Sequence, residues 1–168
     1  MLAEITNFTL DNVSDYISAL PIGYYSGFLY FALISDYNLS VFYWKCLFGL
    51  LFTTLTTDLL KRLPYSKNVW KYTRRPEGAN NTDFLSKKGL CKKDSPGFPS
   101  GHMSITSYFI TISNTYLVQS SKQGHFVNAL LLLSMGWSRY YKCVHTLPQI
   151  VGGTLYGIIC GLITLNFL

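Results

Sequence analysis

Long apolar stretches alternate with short polar ones along most of the chain. The apolar stretches cover about 19–35, 41–60, 103–119, 126–137 and 147–168. A helix needs about 20 apolar residues to cross a hydrocarbon core of about 30 Å. Only helices and closed barrels satisfy the backbone in lipid, and the connections here are short. The pattern therefore predicts an all-α integral membrane helical bundle with about five transmembrane helices.

Two segments, the N-terminus and one long loop, are not predicted to cross the membrane. Residues 1–18 mix acidic and apolar side chains, which predicts an interfacial N-terminal segment. Residues 19–168 are predicted to form the membrane domain, interrupted by a polar basic loop over 61–98. The stretch 103–119 carries several Ser and Thr residues, so it is expected to face other helices rather than lipid.

The last apolar stretch contains a regular series of glycines. Gly153, Gly157 and Gly161 repeat every four residues, which puts them on one face of a helix. Small residues at this spacing allow two membrane helices to approach closely. The series therefore predicts close packing of the last helix against a neighbour.

Composition and charge agree with a membrane protein that meets an anionic partner. Charged residues make up 13% of the chain, about half the usual share. The net charge is +6, and ten of the 14 Lys and Arg residues lie between Lys61 and Lys93. Such a block is typical either of an anion site or of a positive-inside loop. Nucleic acid is not an expected partner, because the rest of the chain looks lipid-bound. Oligomeric state is left open.

Three polar clusters interrupt the apolar pattern, and the predicted topology brings them together. They are KNVWKYTRRP at 67–76, FPSGH at 98–102 and SRYYKCVHTLPQ at 138–149. The first two share the loop between the second and third predicted spans, and the third lies between the fourth and fifth. Two crossings separate those loops, so all three clusters are expected on one face of the membrane.

The middle cluster has the residues of a phosphate cradle. Pro99 and Gly101 shape a turn at a predicted helix start, where free backbone N–H groups and the helix dipole attract anions. Ser100 adds a hydroxyl donor. His102 can act as a general acid near neutral pH.

The third cluster supplies a second histidine and a guanidinium group. Arg139 can clamp a phosphate with two hydrogen bonds. His145 and Gln149 are four residues apart, so on a helix they share a face, and Gln149 could fix the tautomer of His145. Arg74 and Arg75 of the first cluster add further positive charge. Each feature alone is weak, but their convergence on one membrane face indicates phosphate chemistry.

With these residues in view, the sequence resembles the type 2 phosphatidic acid phosphatase superfamily. The family pattern is K-x6-R-P, then P-S-G-H, then S-R-x5-H-x3-D. The second motif is intact at Pro99 to His102, and the third is intact at Ser138, Arg139 and His145. The resemblance covers roughly 60–161. Only two spans precede the first motif here, where the family usually has three.

The first motif is altered, and two readings of it stay open. Lys67 and Arg74 keep the family spacing, but Arg75 stands where Pro is expected. Alternatively, Arg75 and Pro76 form the R-P pair, and the lysine is Lys61 with an insertion in the loop.

The final acid of the third motif is replaced by Gln149, as in dolichyl diphosphatases, whose third motif also reads H-T-x-x-Q. A neutral amide raises the basicity of His145 less than a carboxylate would. A weaker nucleophile requires a better leaving group, and phosphate leaving from a diphosphate is less basic than an alkoxide. A diphosphate substrate is therefore the hypothesis.

The resemblance implies a mechanism and a set of roles. His145 would attack phosphorus and form a phosphohistidine, and His102 would protonate the leaving oxygen. The phosphate oxygens would be held by the remaining site residues, namely Lys61 or Lys67, Arg74 or Arg75, Ser100, Gly101 and Arg139. No metal or other cofactor is expected. The implied substrate is a lipid phosphate or polyprenyl diphosphate, with its tail between helices.

Two alternative functions and the orientation stay open at this point. A phosphotransferase on the same fold would pass the phosphate to a hydroxyl other than water. A catalytically silent membrane scaffold is the alternative from a different class. The protein is expected to be multi-pass, with an active face that the resemblance puts on the lumenal or extracytoplasmic side, whereas the positive-inside rule favours the cytosolic side.

Overall fold

The structure is a computed structural model that describes residues 2–63, 73–76, 79, 96–119 and 121–167. These residues form five helices and no strand. The helices are α1 (Leu2–Ile34), α2 (Tyr37–Arg62), α3 (Gly101–Ile112), α4 (Lys122–Tyr141) and α5 (Leu147–Asn166). The prediction of an all-α bundle is confirmed.

Helix α1 is longer than the sequence pattern predicts. It runs without a break from Leu2 to Ile34, through the expected start of the first span near residue 19. Ser14 and Ser18 are buried, because they face the end of α4. The assignment of residues 1–18 to the membrane interface stays a prediction.

A tight turn joins α1 to α2, as the polar residues after the first apolar stretch predict. Asp36 caps α2, because its side chain accepts a hydrogen bond from the backbone N–H of Leu39 at 3.1 Å. This satisfies one of the N–H groups that a helix start leaves without an intrahelical partner. Helix α2 then ends with Lys61 and Arg62 in its last turn, at the end of the bundle that carries the candidate site.

Three of the helices are long and apolar enough to cross a membrane. They contain the segments Leu10–Ile34, Tyr37–Arg62 and Leu147–Asn166. Helix α3, with 12 residues, is too short for this criterion, and α4, with 20 residues, falls short of it by composition, so three of the five expected spans meet it. The chain is thus an integral membrane protein by the character of its helices.

Helix α3 lies at the centre of the bundle. Seven of its twelve residues are buried, and most of them are polar or carry one polar group. The hydroxyl of Tyr108 donates to the backbone carbonyl of Cys46 in α2 at 2.8 Å, and both residues are fully buried. The sequence prediction that this helix faces other helices is confirmed. A π-helical turn, Ser113–Leu117, continues it toward the far end.

The glycine series of α5 packs against α3. A Cβ atom at Gly157 would lie 2.0 Å from the backbone oxygen of Ser104, and one at Gly153 would lie 2.4 Å from that of Ser100. At Gly161 it would lie 2.8 Å from the Cβ of Thr111. Backbone oxygens of a helix cannot move aside, so glycine is required at the first two positions. The predicted close approach is confirmed.

Helix α4 extends further than predicted at the end nearest the candidate site. The apolar stretch ends at Trp137, but the helix continues to Tyr141. Ser138 and Arg139 are therefore helical residues rather than loop residues, and both are buried. Polar side chains can continue a membrane helix when another helix covers them, and α1 does so here.

Candidate active site

The described residues of the three polar clusters, which are 73–76 of the first and all of the other two, meet at one end of the bundle. This end contains the last turns of α2 and α4 and the first turns of α3 and α5. The turn before α3 is attached directly to α5, because the backbone N–H of Ser100 donates to the carbonyl of Gln149 at 3.1 Å. The prediction that the three clusters share one face is therefore confirmed for their described residues.

A short antiparallel contact brings the arginine pair to this end. Arg74 forms an isolated β-bridge with Pro96, and the N–H of Gly97 donates to the carbonyl of Thr73 at 2.6 Å. Gly97 has no room for a side chain, since a Cβ there would lie 2.6 Å from Oε1 of Gln149 and 2.9 Å from Cγ of Arg75. The Arg75 side chain thus runs beside Gln149, whereas the Arg74 side chain is exposed.

Gln149 holds the imidazole of His145 in one tautomer. Its Oε1 accepts from the backbone N–H of Thr146 at 3.2 Å, and its Nε2 donates to the carbonyl of Arg74. A backbone N–H can only donate and a carbonyl can only accept, so these two contacts fix which end of the amide is oxygen. That oxygen lies 3.1 Å from Nδ1 of His145. Nδ1 must therefore carry the proton, which leaves Nε2 of His145 with its lone pair.

The surroundings of His145 keep its imidazole neutral. Burial lowers the pKa of His145 well below its ordinary value of 6.5, and the positive charge of Arg75 lowers the pKa further. The hydrogen bond with Gln149 opposes this shift but is the smaller effect. A neutral imidazole with its Nε2 lone pair available is the form that can act as a nucleophile.

His102 lies in the same cluster of positive charge. The charges of Arg139, Lys61 and Arg75 all act on it, and its ring interacts electrostatically with that of His145. The site therefore combines two histidines with several cationic side chains. Positive charge of this density favours a bound dianion.

The start of α3 offers donors to such an anion. Ser100 is fully buried, and its hydroxyl oxygen has no hydrogen-bond partner among the described residues. The Lys61 ammonium nitrogen would lie 3.3 Å from a Cβ at Gly101, so it lies close to the helix N-terminus. Lys61 also forms an ion pair with Asp58 at 2.9 Å. Helix dipole, hydroxyl and ammonium group thus converge at one point.

Arg139 is buried, and α1 contacts it. Its Nη2 donates to the hydroxyl oxygen of Ser18 and to that of Ser138, the latter at 3.2 Å. Arg139 is 2% exposed, so its charge is held by hydrogen bonds rather than by water.

Most of the predicted site residues lie together, and the exceptions are all in the first motif. Lys61 and Arg75 lie at the histidines, whereas Arg74 contributes its backbone carbonyl. Lys67 lies outside the described residues. The geometry favours the alternative reading, in which Lys61 and the Arg75-Pro76 pair form the first motif, but the family roles of these residues stay predictions.

Sequence reasoning missed the contribution of α1. Asp11, Ser14, Asp15 and Ser18 follow a spacing of three and four residues, which marks one face of a helix. This spacing is a signal, but nothing in the sequence says which helix the face meets. Asp58 was also missed, although it lies three residues before Lys61 on the same helix, a spacing that the sequence does contain.

An apolar cavity of about 350 Å³ adjoins the site between α3, α4 and α5. Three of its lining residues follow site residues in the chain, because Met103 follows His102, Tyr140 follows Arg139 and Ile150 follows Gln149. The others are Leu132, Leu133, Gly136, Trp137, Leu147 and Thr154. In the described part of the chain, no three His, Cys, Asp or Glu side chains lie close enough to hold a metal ion.

Comparison with known proteins gives one family and one similar fold. The family model described as the PAP2 superfamily matches residues 42–168. A solved structure from Bacillus subtilis, described as the first transmembrane PAP2 type phosphatidylglycerolphosphate phosphatase, is similar in fold. The TM-score is 0.61 at 17% sequence identity, covering 94% of this chain and 76% of that one. No curated protein sequence matches the chain significantly.

Proposed function

The chain belongs to the PAP2 superfamily, and on that premise we propose that it is a membrane phosphatase acting on a lipid phosphate or diphosphate with His145 as its nucleophile. The observation that carries this proposal is the contact between Nδ1 of His145 and Oε1 of Gln149 at 3.1 Å. This contact leaves Nε2 of a buried, neutral imidazole available beside a dense cluster of positive charge.

In the proposed reaction, Nε2 of His145 attacks the phosphorus in line with the bond that breaks. A nitrogen–phosphorus bond forms, and the bond from phosphorus to the leaving oxygen breaks. His102 gives its proton to that oxygen. Water then attacks the phosphohistidine, His102 takes up the water proton, and inorganic phosphate leaves.

The cationic groups stabilise the charge that develops on the phosphoryl oxygens. Arg75, Arg139 and Lys61 supply guanidinium and ammonium groups, and the start of α3 adds the hydroxyl of Ser100 and the N–H of Gly101. Donors held in a site that excludes water act most strongly on the transition state. Burial and this positive charge both favour loss of a proton from His102, and the negative charge of a bound phosphate opposes them.

The substrate is proposed to be a lipid, because the apolar cavity adjoins the phosphate site and lies among membrane helices. A polyprenyl diphosphate is favoured over a monoester, because Gln149 cannot activate His145 as strongly as a carboxylate would. The similar Bacillus subtilis protein is described as acting on a phosphatidylglycerolphosphate, which is a monoester. The active face is proposed to be lumenal or extracytoplasmic, and the catalysis to need no metal.

Phosphate release by the purified full-length protein in detergent tests this function. The substrates are a polyprenyl diphosphate, phosphatidate and a phosphatidylglycerolphosphate, all with EDTA present. The variants are His145→Ala and, as a matched control, His125→Ala. His125 is exposed and binds Asn114 and the carbonyl of Gln119, at the end of α3 away from the site.

We expect release by the wild type and by His125→Ala, none by His145→Ala, and the fastest turnover with the diphosphate. Failure of the wild type to release phosphate from any lipid would contradict the proposed function. Activity that persists in His145→Ala would contradict the role of the nucleophile, and dependence on a metal would contradict the proposed chemistry.

A further inference from the structure

The face of α1 that meets the end of α4 carries a continuous row of polar contacts. Ser14 and Ser18 pack against Ser138 and Arg139. One turn after Arg139, at the end of α4, Lys142 forms an ion pair with Asp15 of α1. The hydroxyl of Tyr141 also hydrogen-bonds to the side chain of Asp11. The row is therefore a seam between two helices, and its deepest members are fully buried serines.

The hydroxyl protons in this seam all point away from Arg139. Ser18 donates its proton to the backbone carbonyl of Ser14 at 2.6 Å, and Ser138 donates to the same carbonyl at 3.0 Å. Each hydroxyl has one proton, so both oxygens face the guanidinium as acceptors. Ser14 then donates its own proton to Ser138 at 3.0 Å. The backbone carbonyl of Ser14 thus directs the protons of Ser18 and Ser138, and the Ser138 oxygen accepts that of Ser14.

The two serine oxygens hold the guanidinium of Arg139 at its Nη2 atom. Nη2 of Arg139 has two protons, and the oxygens of Ser18 and Ser138 accept from it. The same guanidinium exerts its charge on both His102 and His145. A buried arginine that is already ordered loses little conformational freedom when a phosphate binds, and its placement decides how well it fits the transition state.

We propose that α1 is a positioning element of the active site, in which Ser18, supported by Ser14, holds the guanidinium of Arg139 for the phosphoryl group. The family model begins at residue 42, so α1 lies outside the matched part of the chain. The inference rests on the proposed function, because it takes Arg139 to be a phosphate ligand. Ser18 itself is not expected to touch the substrate.

Binding of inorganic phosphate to the purified protein in detergent tests this positioning role. Ser18→Ala removes the acceptor and leaves Arg139 in place. Arg139 would then have to lose conformational freedom when the anion binds, so we expect the dissociation constant for phosphate to rise by about tenfold. Ser18→Thr retains a hydroxyl and is expected to restore binding to within about threefold of the wild type.

Ser26→Ala is the matched control on the same helix. The hydroxyl of Ser26 is exposed and donates only to the carbonyl of Ile22, one turn earlier in α1. We expect its phosphate affinity to equal that of the wild type. Thermal unfolding of each variant shows whether the bundle has been weakened.

A double-mutant cycle separates positioning from general support of the fold. In an Arg139→Ala background, Ser18→Ala should leave the phosphate dissociation constant unchanged, because the group that Ser18 holds is gone. A merely structural role would weaken binding by the same factor in both backgrounds, and that result would overturn the inference. Equal affinity of wild type and Ser18→Ala would also overturn it. Absence of phosphate binding by the wild type would instead contradict the proposed function, on which the inference depends.

Discussion

Gln149 and His145 are joined by a hydrogen bond of 3.1 Å that runs between Oε1 and Nδ1. The direction of this bond follows from the two backbone groups that hold the other contacts of the amide, the N–H of Thr146 and the carbonyl of Arg74. One side chain therefore orients the proposed nucleophile and ties the arginine segment to the start of α5. Because Gln149 contacts the proposed nucleophile directly, we expect a change at this residue to alter which substrates are hydrolysed fastest.

Replacement of Gln149 by glutamate tests the link between this residue and a diphosphate preference. Gln149→Glu retains an acceptor for His145 and adds a negative charge that raises the basicity of the imidazole. A stronger nucleophile depends less on a good leaving group. We expect the ratio of kcat/KM for a lipid monoester to that for a diphosphate to rise by about tenfold.

The ratio is the quantity to compare in Gln149→Glu, rather than the absolute rates. Glutamate cannot donate to the carbonyl of Arg74, so the rates with the monoester and with the diphosphate can both fall. Gln123→Glu is the control, since Gln123 is exposed in the first turn of α4, far from the site. An unchanged substrate ratio in Gln149→Glu would remove the support for this explanation of the residue.

The two neighbouring arginines should differ sharply in their effect on activity. Arg75 exerts its charge on both histidines, whereas Arg74 is exposed and its backbone carbonyl accepts a hydrogen bond from Gln149. We expect Arg75→Ala to lower kcat/KM by about 100-fold, as for the loss of one oxyanion donor. Arg74→Ala should stay within about threefold, as is usual for an exposed charge. Equal losses in the two variants would contradict the assignment of Arg75 to the first motif.

The acid limb of the pH profile should depend on Arg75. Burial and then the Arg75 charge hold the pKa of His145 well below 6.5. The neutral form is the nucleophile, so a lowered pKa means that activity survives to lower pH before protonation removes it. We expect the acid limb of kcat/KM that belongs to His145 to lie well below about pH 6.5. Arg75→Gln raises the pKa and should move this limb to higher pH, while Arg74→Gln should leave it in place. Superimposable limbs in all three proteins would contradict this account.

The packing of α5 on α3 should make one glycine essential and another replaceable. A Cβ at Gly157 would lie 2.0 Å from the backbone oxygen of Ser104, whereas one at Gly27 in α1 meets no atom within 4 Å. We expect Gly157→Ala to lower the free energy of unfolding by about 3 kcal/mol, because neither backbone can yield. Gly27→Ala should be neutral or stabilise by roughly 1 kcal/mol, since alanine is the better helix former. Thermal unfolding in detergent distinguishes them, and similar stabilities would show that α3 and α5 are less closely packed than described.

The sequence predicts the fold class and the shared end of the bundle at which the polar clusters lie, because hydropathy reports directly on which segments can enter lipid. It also singles out His102, Arg139 and His145 as candidates, because their residue types and spacing have a chemical reason. It does not predict that α4 continues through Ser138 and Arg139. Those side chains are polar, and the serines of α1 that contact them lie far away in the sequence. Long-range pairs of this kind depend on which helices become neighbours, which a local pattern does not contain.

The choice between Lys61 and Lys67 shows the same limit. Spacing favours Lys67 with Arg74, because the family motif has a fixed interval. The described structure instead has Lys61 beside Gly101 and Arg75 beside Gln149. An insertion changes the interval without changing which groups meet, so spacing alone could not decide between the two readings. Lys67 lies outside the described residues.

Direct detection of a phosphorylated histidine tests the central claim most closely. Wild-type protein is mixed with a lipid substrate labelled in its terminal phosphate, stopped in alkali within the first turnover and digested for peptide analysis. We predict an alkali-stable, acid-labile label on the peptide that contains His145, present also in His125→Ala and absent from His145→Ala. A label on any other residue, or undiminished turnover by His145→Ala, would contradict the account.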